Sequence, residues 1–327
     1  MGNEKPRYFP LIRIVRDSLN VFTIDKILNL VGEFLLPKHH VDRLVRQFSD
    51  EIDKPLNGGG DDPYGFPMFN TFVTKFPSNK EIGNFLGLDI GGTNLRIASV
   101  HLEPGHPDNG KEITMENFPV PIECRQGESR KVNVHFTSTN NHKLLIKCSP
   151  CFQFFDHLAK SIGHFLRRHF PQQTETIALG FTFSFGFEQL SISRGRCVQF
   201  GIQTNLPDAL GKCPLELLQN SIDSAGLPVK VVVLANDSTT TLVYGRFVDP
   251  QTRASLILGS GSNVAYIEKV ERDKRIEDPV KVFGYTATEF IINSECVIYG
   301  GDGRIDFAKS RYDLQLDLHS LIPNSYT

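Results

Sequence analysis

Two short segments rich in glycine and hydroxyl residues carry the strongest chemical signal in the sequence. Gly91-Gly92-Thr93-Asn94 follows the apolar run Phe85–Ile90, and Gly259-Ser260-Gly261-Ser262-Asn263 lies between two further apolar runs. Glycine lets the backbone bend so tightly that successive N–H groups face an anion. Two such turns predict hairpins that hold the phosphates of one nucleotide, although an ordinary glycine hairpin is the simpler interpretation of either turn alone. Neither segment is a Walker A loop or a dinucleotide-binding loop.

Carboxylates at the ends of apolar runs support the same interpretation. Asp89 stands just before the first glycine turn, where it can hold a hydrated Mg²⁺. The run Val231–Ala235 leads directly into Asn236 and Asp237. A carboxylate at a strand end beside a phosphate site can take a proton from an attacking hydroxyl, and Asn236 can orient the same substrate. An Asn-Asp pair alone favours a turn or a helix cap, but its combination with two phosphate turns favours catalysis.

Helices and strands must position these residues. Apolar side chains spaced three and four residues apart predict amphipathic helices over 38–54 and 153–169. Short apolar runs predict strands between and after them, and this mixture indicates an α/β architecture. The predicted strands are Phe85–Ile90, Ile97–His101, Ala178–Phe185, Val229–Ala235, Ser255–Leu258 and Val264–Ile267.

Two segments interrupt the predicted elements. Asn57–Pro63 contains three consecutive glycines and predicts a flexible connector after the first helix. Residues 127–151 are polar and basic at first and then rich in Thr, Asn and His. This composition predicts a surface insertion, and a solvated loop is favoured there over any binding role.

Length and composition limit the remaining function classes. The chain has 327 residues, enough for about two domains. Its 35 Lys and Arg against 37 Asp and Glu give a net charge of −2, so no basic excess predicts nucleic acid or an anionic membrane as a partner. No apolar run reaches the ~20 residues of a membrane span. The scattered cysteines predict reduced thiols and a cytoplasmic location, and Cys148-Ser149-Pro150-Cys151 has no second ligand pair for a metal.

Together these motifs resemble those of the ATP-dependent hexokinase and glucokinase family of eukaryotic type, and they occur in the family's order. The segments that carry the resemblance are Leu88–Arg96 for the first phosphate motif, Leu179–Phe185 for the opening of the sugar-binding signature, Asn236-Asp237 for the catalytic segment, Gly259–Asn263 for the second phosphate motif, and Asn293-Ser294-Glu295 with Gly300-Gly301-Asp302-Gly303 for a later sugar-contacting segment.

The resemblance implies the α/β fold of the actin-like, ribonuclease-H-like ATPases, with two lobes around a cleft. Residues 1–75 would supply the N-terminal helices and linker of the large lobe, 76–229 the small lobe with the insertion near 127–151, and 230–327 the rest of the large lobe. The family's adenosine-binding motif and another sugar-contacting Glu would follow Thr327. We therefore expect a C-terminally truncated chain with an incomplete large lobe.

The resemblance also implies an activity, ATP-dependent phosphorylation of a hexose such as glucose at its 6-hydroxyl, with ATP and Mg²⁺. This is the first step of glycolysis. Asp237 would be the general base, and Asp89 would hold Mg²⁺ through water. The sugar hydroxyls would be bound by Ser184, Asn236, Asn263 and Glu295, and the nucleotide phosphates by Asp89, Gly91, Gly92, Thr93, Asn94, Arg96, Gly259, Ser260 and Gly261.

Several positions depart from the family pattern. Gly186 stands where the family has Pro, Cys296 where it has an aromatic residue, and Gly201-Ile202 where it has a Thr-Lys pair that reaches the sugar. Loss of a buried hydrogen bond to a charged group costs about 1.5–3 kcal/mol, or roughly ten- to a hundred-fold in rate. We therefore expect impaired activity. Two alternatives stay open: a catalytically impaired sugar-binding or regulatory protein, and a truncated product with little function.

Overall fold

The structure is a computed structural model, and it divides into two compact units. One unit comprises the described residues within 1–53, 62–65 and 298–327, and the other comprises those within 54–61 and 66–297. All the described residues of the expected phosphate and sugar site lie in the second unit. The structure describes residues 26, 29, 31–32, 34–59, 62–78, 80–91, 94–103, 112–126, 130–133, 145–148, 150–200, 204–259 and 261–319.

Helices and strands alternate along most of the chain. The helices are α1 (Lys38–Leu56), α2 (Ile122–Arg125), α3 (Pro150–His169), α4 (Pro214–Ser224), α5 (Asp237–Val248), α6 (Pro279–Phe283) and α7 (Arg311–His319). The strands are β1 (Phe69–Asn70), β2 (Gly83–Ile90), β3 (Asn94–Leu102), β4 (Glu112–Pro119), β5 (Arg130–Asn133), β6 (Leu145–Cys148), β7 (Ile177–Phe183), β8 (Gly186–Ser191), β9 (Arg194–Gln199), β10 (Val229–Ala235), β11 (Ala254–Leu258), β12 (Ser262–Lys269) and β13 (Glu289–Asn293).

A five-stranded mixed sheet forms the centre of the second unit, with strand order β10-β7-β2-β3-β4. Strands β2, β7 and β10 run parallel to one another, whereas β3 and β4 are antiparallel to their neighbours. The register aligns Asp89 with Thr182 and Thr182 with Ala235. The carboxyl ends of the three parallel strands therefore meet at one edge of the sheet.

Helices α3 and α4 belong to the same hydrophobic core as this sheet. Along α3, Leu158 and Ile162 have no solvent exposure, and Leu218 and Ile222 of α4 are equally buried. Burying each such side chain stabilises the fold by about 1.5–3 kcal/mol. This core holds the strands whose ends carry the expected site.

A second, four-stranded antiparallel sheet has the order β1-β13-β12-β11. Helix α5 packs on it through Leu242, which lies in a small core with Ala265, Ile267 and Ile291. Because α5 begins directly after β10, it links the carboxyl edge of the first sheet to the second sheet.

In the first unit, side chains of α1 contact the chain segment that begins at residue 298. Arg304 donates to Asp62 Oδ2 at 2.8 Å, to Asp302 Oδ2 at 2.6 Å and to Glu51 Oε1 at 3.3 Å. The phenyl ring of Phe48 lies 5.0 Å from the ring of Tyr299, centroid to centroid. This ion-pair cluster joins Asp302, within the motif Gly300–Gly303, to the end of α1.

The α/β class predicted from sequence is confirmed, as are both predicted helices. The expected strands also form, with ends that lie within three residues of those predicted, and Val229–Ala235 agrees at both ends. Strands β4, β8, β9 and β13 were not predicted. Polar or glycine residues interrupt the apolar pattern of β4, β8 and β9, and the apolar run of β13 is only three residues long. The segment 127–151 is not a loop throughout, because Arg130–Asn133 pairs with Leu145–Cys148 as an antiparallel ribbon.

Candidate active site

The expected site residues gather at the carboxyl edge of the three parallel strands. Asp89 lies near the end of β2, Ser184 directly follows β7, and Asn236 and Asp237 follow β10. The Ser184 backbone N–H donates to the Ile90 carbonyl at 3.1 Å, which ties the ends of β7 and β2 together. Ligands of open α/β sheets bind outside the carboxyl ends of the strands, so this edge is where chemistry is expected.

The first glycine turn joins β2 to β3 as the sequence predicted. The Gly91 N–H donates to the Asn94 carbonyl at 3.1 Å, which closes the turn. Arg96 lies opposite Asp89 in the β2–β3 register and donates to its Oδ2 at 2.8 Å. The arginine and carboxylate expected to face phosphate and Mg²⁺ are therefore side by side. Gly92 and Thr93 lie outside the described residues.

The donor set at this turn fits a magnesium ion that is held mainly by water and phosphate. Asp89 is partly exposed, and its negative charge acts on the nearby Asp237. Mg²⁺ is usually bound through one or two carboxylates plus substrate phosphates, and it keeps several waters. Within the described ranges no group of three or more His, Cys, Asp or Glu side chains forms a complete metal cage. Asp89 is thus suited to a hydrated ion delivered with a nucleotide.

The second glycine turn joins β11 to β12. The Gly259 N–H donates to the Gly261 carbonyl at 2.9 Å, and both glycines are exposed. A Cβ atom on Gly261 would lie 2.9 Å from Cγ2 of Val297, closer than side chains tolerate. A side chain at 261 would therefore force Val297 to shift. Ser260 lies outside the described residues.

Asn236 and Asp237 form the start of helix α5. Asn236 is the N-cap residue, and its side-chain oxygen accepts from the Ser238 N–H at 2.9 Å. Burial raises the pKa of Asp237, and the negative charge of Asp89 acts in the same direction. Hydrogen bonds from the Ser238 backbone and the Ser184 side chain oppose this rise. A carboxylate with a raised pKa is a better proton acceptor at neutral pH, which suits a general base.

Glu295 lies two residues after β13 in a left-handed backbone conformation, with φ of +49°. A non-glycine residue with positive φ is uncommon, and such strain concentrates at functional sites. Its Oε1 accepts from Asn293 Nδ2 at 2.7 Å and from Asn236 Nδ2 at 3.2 Å. Burial raises the pKa of Glu295 to about 7, the Asn293 amide opposes the rise, and the charge of Asp237 adds to it.

Asn263 occupies β12 and is buried. Its Nδ2 lies 2.8 Å from Asn293 Oδ1, 3.2 Å from Ser238 Oγ and 3.3 Å from Asn236 Oδ1. These contacts bring it together with Asn236 and Glu295 in one hydrogen-bonded group. Neither Ser238 nor Asn293 had a predicted role of its own, although Ser238 follows the predicted catalytic segment and Asn293 belongs to the predicted sugar-contacting segment.

The positions that depart from the family pattern are described only in part. Gly186 begins β8 and pairs with Gln199. The Cys296 thiol lies 3.6 Å from the Ser262 carbonyl, and burial raises its pKa. Gly201 and Ile202 lie outside the described residues.

Two observations concern the wider molecule. None of the helices in the described ranges is both long enough and apolar enough to cross a bilayer. The cysteines whose side chains are described, Cys124, Cys151, Cys197, Cys213 and Cys296, form no disulfide. The side chain of Cys148 lies outside that set.

Comparisons with known proteins identify the family of this chain. Two family models, both described as hexokinase, match residues 26–247 and 253–327. The chain is 31% identical to a glucokinase of Aspergillus niger over 307 residues and 28% identical to hexokinase-1 of Saccharomyces cerevisiae over 306 residues. Each alignment covers 92% of this chain, but only 59% and 56% of those proteins.

A solved structure of hexokinase from Schistosoma mansoni in complex with glucose superposes with a TM-score of 0.72 at 27% identity, over 92% of this chain and 60% of that one. The chain thus spans about 60% of the length of the relatives it matches. The superposition confirms the actin-like ATPase fold that the motifs implied. The family models together match most of the chain, and the protein therefore belongs to the hexokinase family.

Proposed function

We propose that this protein phosphorylates a hexose such as glucose at its 6-hydroxyl, with ATP as phosphoryl donor. The observation that carries the proposal is the position of Asp237. Its carboxylate lies where β2, β7 and β10 end, under the influence of both Asp89 and Ser184. Family membership and the glucose complex of the Schistosoma mansoni hexokinase support the choice of substrate.

The sugar would be held by side chains that differ in charge and donor capacity. Glu295 offers acceptors for hydroxyl protons, and Asn236 offers an amide beside it. Ser184 faces Asp237 from the end of β7. Asn263 would add a further polar contact beside Asn236. Such a set distinguishes a polyhydroxylated substrate from water by the number of hydrogen bonds made at once.

Asp237 would act on the 6-hydroxyl of the bound sugar. As the hydroxyl oxygen bonds to the γ-phosphorus of ATP, its proton passes to the Asp237 carboxylate, and the bond from the γ-phosphorus to the β-phosphate oxygen breaks. The raised pKa of Asp237 favours this proton transfer. The products are the hexose 6-phosphate and ADP.

The nucleotide phosphates would be held between the two glycine turns. The turns that contain Gly91, Asn94, Gly259 and Gly261 would offer backbone N–H groups other than those of Gly91 and Gly259, which close the turns themselves, and Arg96 would supply positive charge. When bound, Mg²⁺ would neutralise charge on the phosphates. Asp89 would then exchange its partner Arg96 for the hydrated ion, which would free the guanidinium for phosphate. Gly92, Thr93 and Ser260 are proposed to belong to the same phosphate site on the family resemblance.

The direct test incubates the purified chain with ATP, Mg²⁺ and glucose and measures hexose 6-phosphate through a coupled dehydrogenase. We expect product that depends on both ATP and sugar. ATP hydrolysis that is unaffected by sugar would contradict the proposal.

A second candidate is a protein that binds the sugar but transfers phosphate poorly. The observation that favours it is the pair Gly201-Ile202, which lacks the hydroxyl and ammonium groups of the family pattern. Calorimetry together with the coupled assay separates the two candidates, because a sugar-binding protein of this kind would bind glucose in calorimetry and form little or no product in the assay.

A further inference from the structure

Two buried polar residues lie behind the proposed sugar-binding side chains. Ser238 is the second residue of α5 and has no solvent exposure, and Asn293 is the last residue of β13 with 3% exposure. Both side chains are too deeply buried to contact a ligand directly. Each nevertheless contacts residues assigned to the sugar site.

Asn293 joins Glu295 to the interior of the second sheet. Its Nδ2 donates to Glu295 Oε1 at 2.7 Å, and its Oδ1 accepts from Asn263 Nδ2 at 2.8 Å. The same Oδ1 lies 3.1 Å from the Ser238 hydroxyl. Because its oxygen faces the two donors Asn263 and Ser238, on β12 and at the start of α5, the Asn293 amide has one favourable orientation. That orientation aims its N–H at Glu295.

Ser238 sets the orientation of the neighbouring Asn236 amide. Asn236 Oδ1 accepts from the Ser238 N–H at 2.9 Å and lies 2.8 Å from the Ser238 hydroxyl. With its oxygen held by two donors, the Asn236 amide turns its nitrogen toward Glu295 Oε1, 3.2 Å away. The two amide groups of Asn236 and Asn293 thus converge on one carboxylate oxygen.

We infer that Ser238 and Asn293 are positioning residues of the sugar site, which fix the Asn236 amide and the Glu295 carboxylate for a bound hexose. This inference rests on the proposed function. The left-handed backbone of Glu295 makes such support necessary, because the strained conformation persists only where its surroundings hold it. The second oxygen of Glu295 is left for the sugar hydroxyls.

The environment of Glu295 supports the same arrangement. Asp237 is the charged group that acts on Glu295, and Asn293 and Asn236 are its neutral donors. The Asn293 amide favours the ionised carboxylate against burial. Without that amide, Glu295 would hold its proton to higher pH.

The test measures glucose binding by calorimetry in the full chain and in Asn293→Ala, Ser238→Ala and Ser238→Thr variants. We expect Asn293→Ala to weaken binding about ten- to a hundred-fold, the loss typical of a hydrogen bond to a charged group. Ser238→Ala should weaken it about tenfold, and Ser238→Thr, which keeps the hydroxyl, should recover most of the loss. Ser255→Ala is the matched control, because its hydroxyl donates to the Ser238 carbonyl, at 2.7 Å, and not to the side chains of the sugar site. It should bind glucose as the unmodified chain does.

A second readout does not depend on the sugar. Carboxyl carbon NMR of the ligand-free chain follows the pKa of Glu295, which we expect to rise in Asn293→Ala and to stay unchanged in Ser255→Ala. An unchanged Glu295 pKa in Asn293→Ala would overturn the inference even if that variant binds glucose weakly through a folding defect.

The outcomes separate the inference from the proposed function. If Glu295→Ala abolishes glucose binding while Asn293→Ala and Ser238→Ala bind normally, the inference fails and the sugar site stands. If glucose binding in the unmodified chain is absent, or is the same in Glu295→Ala, both the sugar site and the inference are overturned.

Discussion

Glu295 is the residue whose protonation should be visible in function. Its pKa of about 7 means that the carboxylate gains a proton as pH falls through neutrality. A neutral carboxyl group accepts a hydroxyl hydrogen bond less strongly than a carboxylate does. We therefore predict that glucose affinity falls as pH drops below 7, approaching tenfold per pH unit. Calorimetry between pH 5.5 and 8 measures this, and Glu295→Gln should remove the dependence. A glucose affinity that stays constant over this range would show that protonation of Glu295 does not affect sugar binding.

Ile202 is the residue whose replacement should increase activity. The family pattern has a lysine at this position, where positive charge faces the transferring phosphoryl group, and isoleucine cannot supply it. We predict that Ile202→Lys raises kcat/KM for phosphorylation about ten- to a hundred-fold. The control is Ile82→Lys, an exposed position before β2, at the opposite end of that strand from Asp89. Equal rates in the two variants would rule out a role for charge at 202.

At the level of elements, the two glycine turns differ in the space around their glycine residues. A Cβ at Gly261 would meet Val297 Cγ2 at 2.9 Å, whereas a Cβ at Gly91 would meet no atom within 4 Å. We predict that Gly261→Ala destabilises the fold by about 1–3 kcal/mol through this overlap. Gly91→Ala, the matched control, should be neutral or slightly stabilising. Thermal unfolding measures both, and the same melting temperature in the two variants would contradict the steric account.

The helices and strands that were predictable from sequence are those with continuous apolar patterns. Val229–Ala235 contains six apolar residues and one lysine, and its bounds were predicted at both ends. The β8–β9 hairpin carries polar and glycine residues, and β13 has only three consecutive apolar residues. These strands form because neighbouring strands supply the hydrogen bonds. Pairing between segments distant in sequence is not encoded in local periodicity, so such strands are missed.

The candidate site was predictable at those residues whose chemical type and position at a strand end both indicate a function. Asp89, Asn236 and Asp237 stand at strand ends, and parallel strands bring those ends to one edge. The support provided by Ser238 and Asn293 was not predictable, because it depends on which side chains face each other across β12, β13 and α5. Nothing in the sequence indicates that Ser238 and Asn293 are buried.

For the whole molecule, we propose that a chain spanning about 60% of its relatives' length carries a phosphoryl-transfer site. The residues proposed to bind the sugar and to accept its proton lie in one compact unit, where hydrogen bonds join Asn236 to both Asn263 and Glu295. The predicted lobe boundaries near residues 75 and 229 remain a prediction. Enzymatic activity should therefore be measured on this chain and not inferred from its longer relatives.

The most direct measurement compares the unmodified chain with Asp237→Asn for glucose binding and for ATP-dependent formation of hexose 6-phosphate. Asparagine keeps the oxygen that accepts from the Ser238 N–H at 2.8 Å, so the start of α5 should be preserved. The account predicts glucose affinity within about threefold and a phosphorylation rate at least about 10²-fold lower, the contribution of a general base. Equal phosphorylation rates in the two proteins, or glucose binding with no product from the unmodified chain, would contradict it.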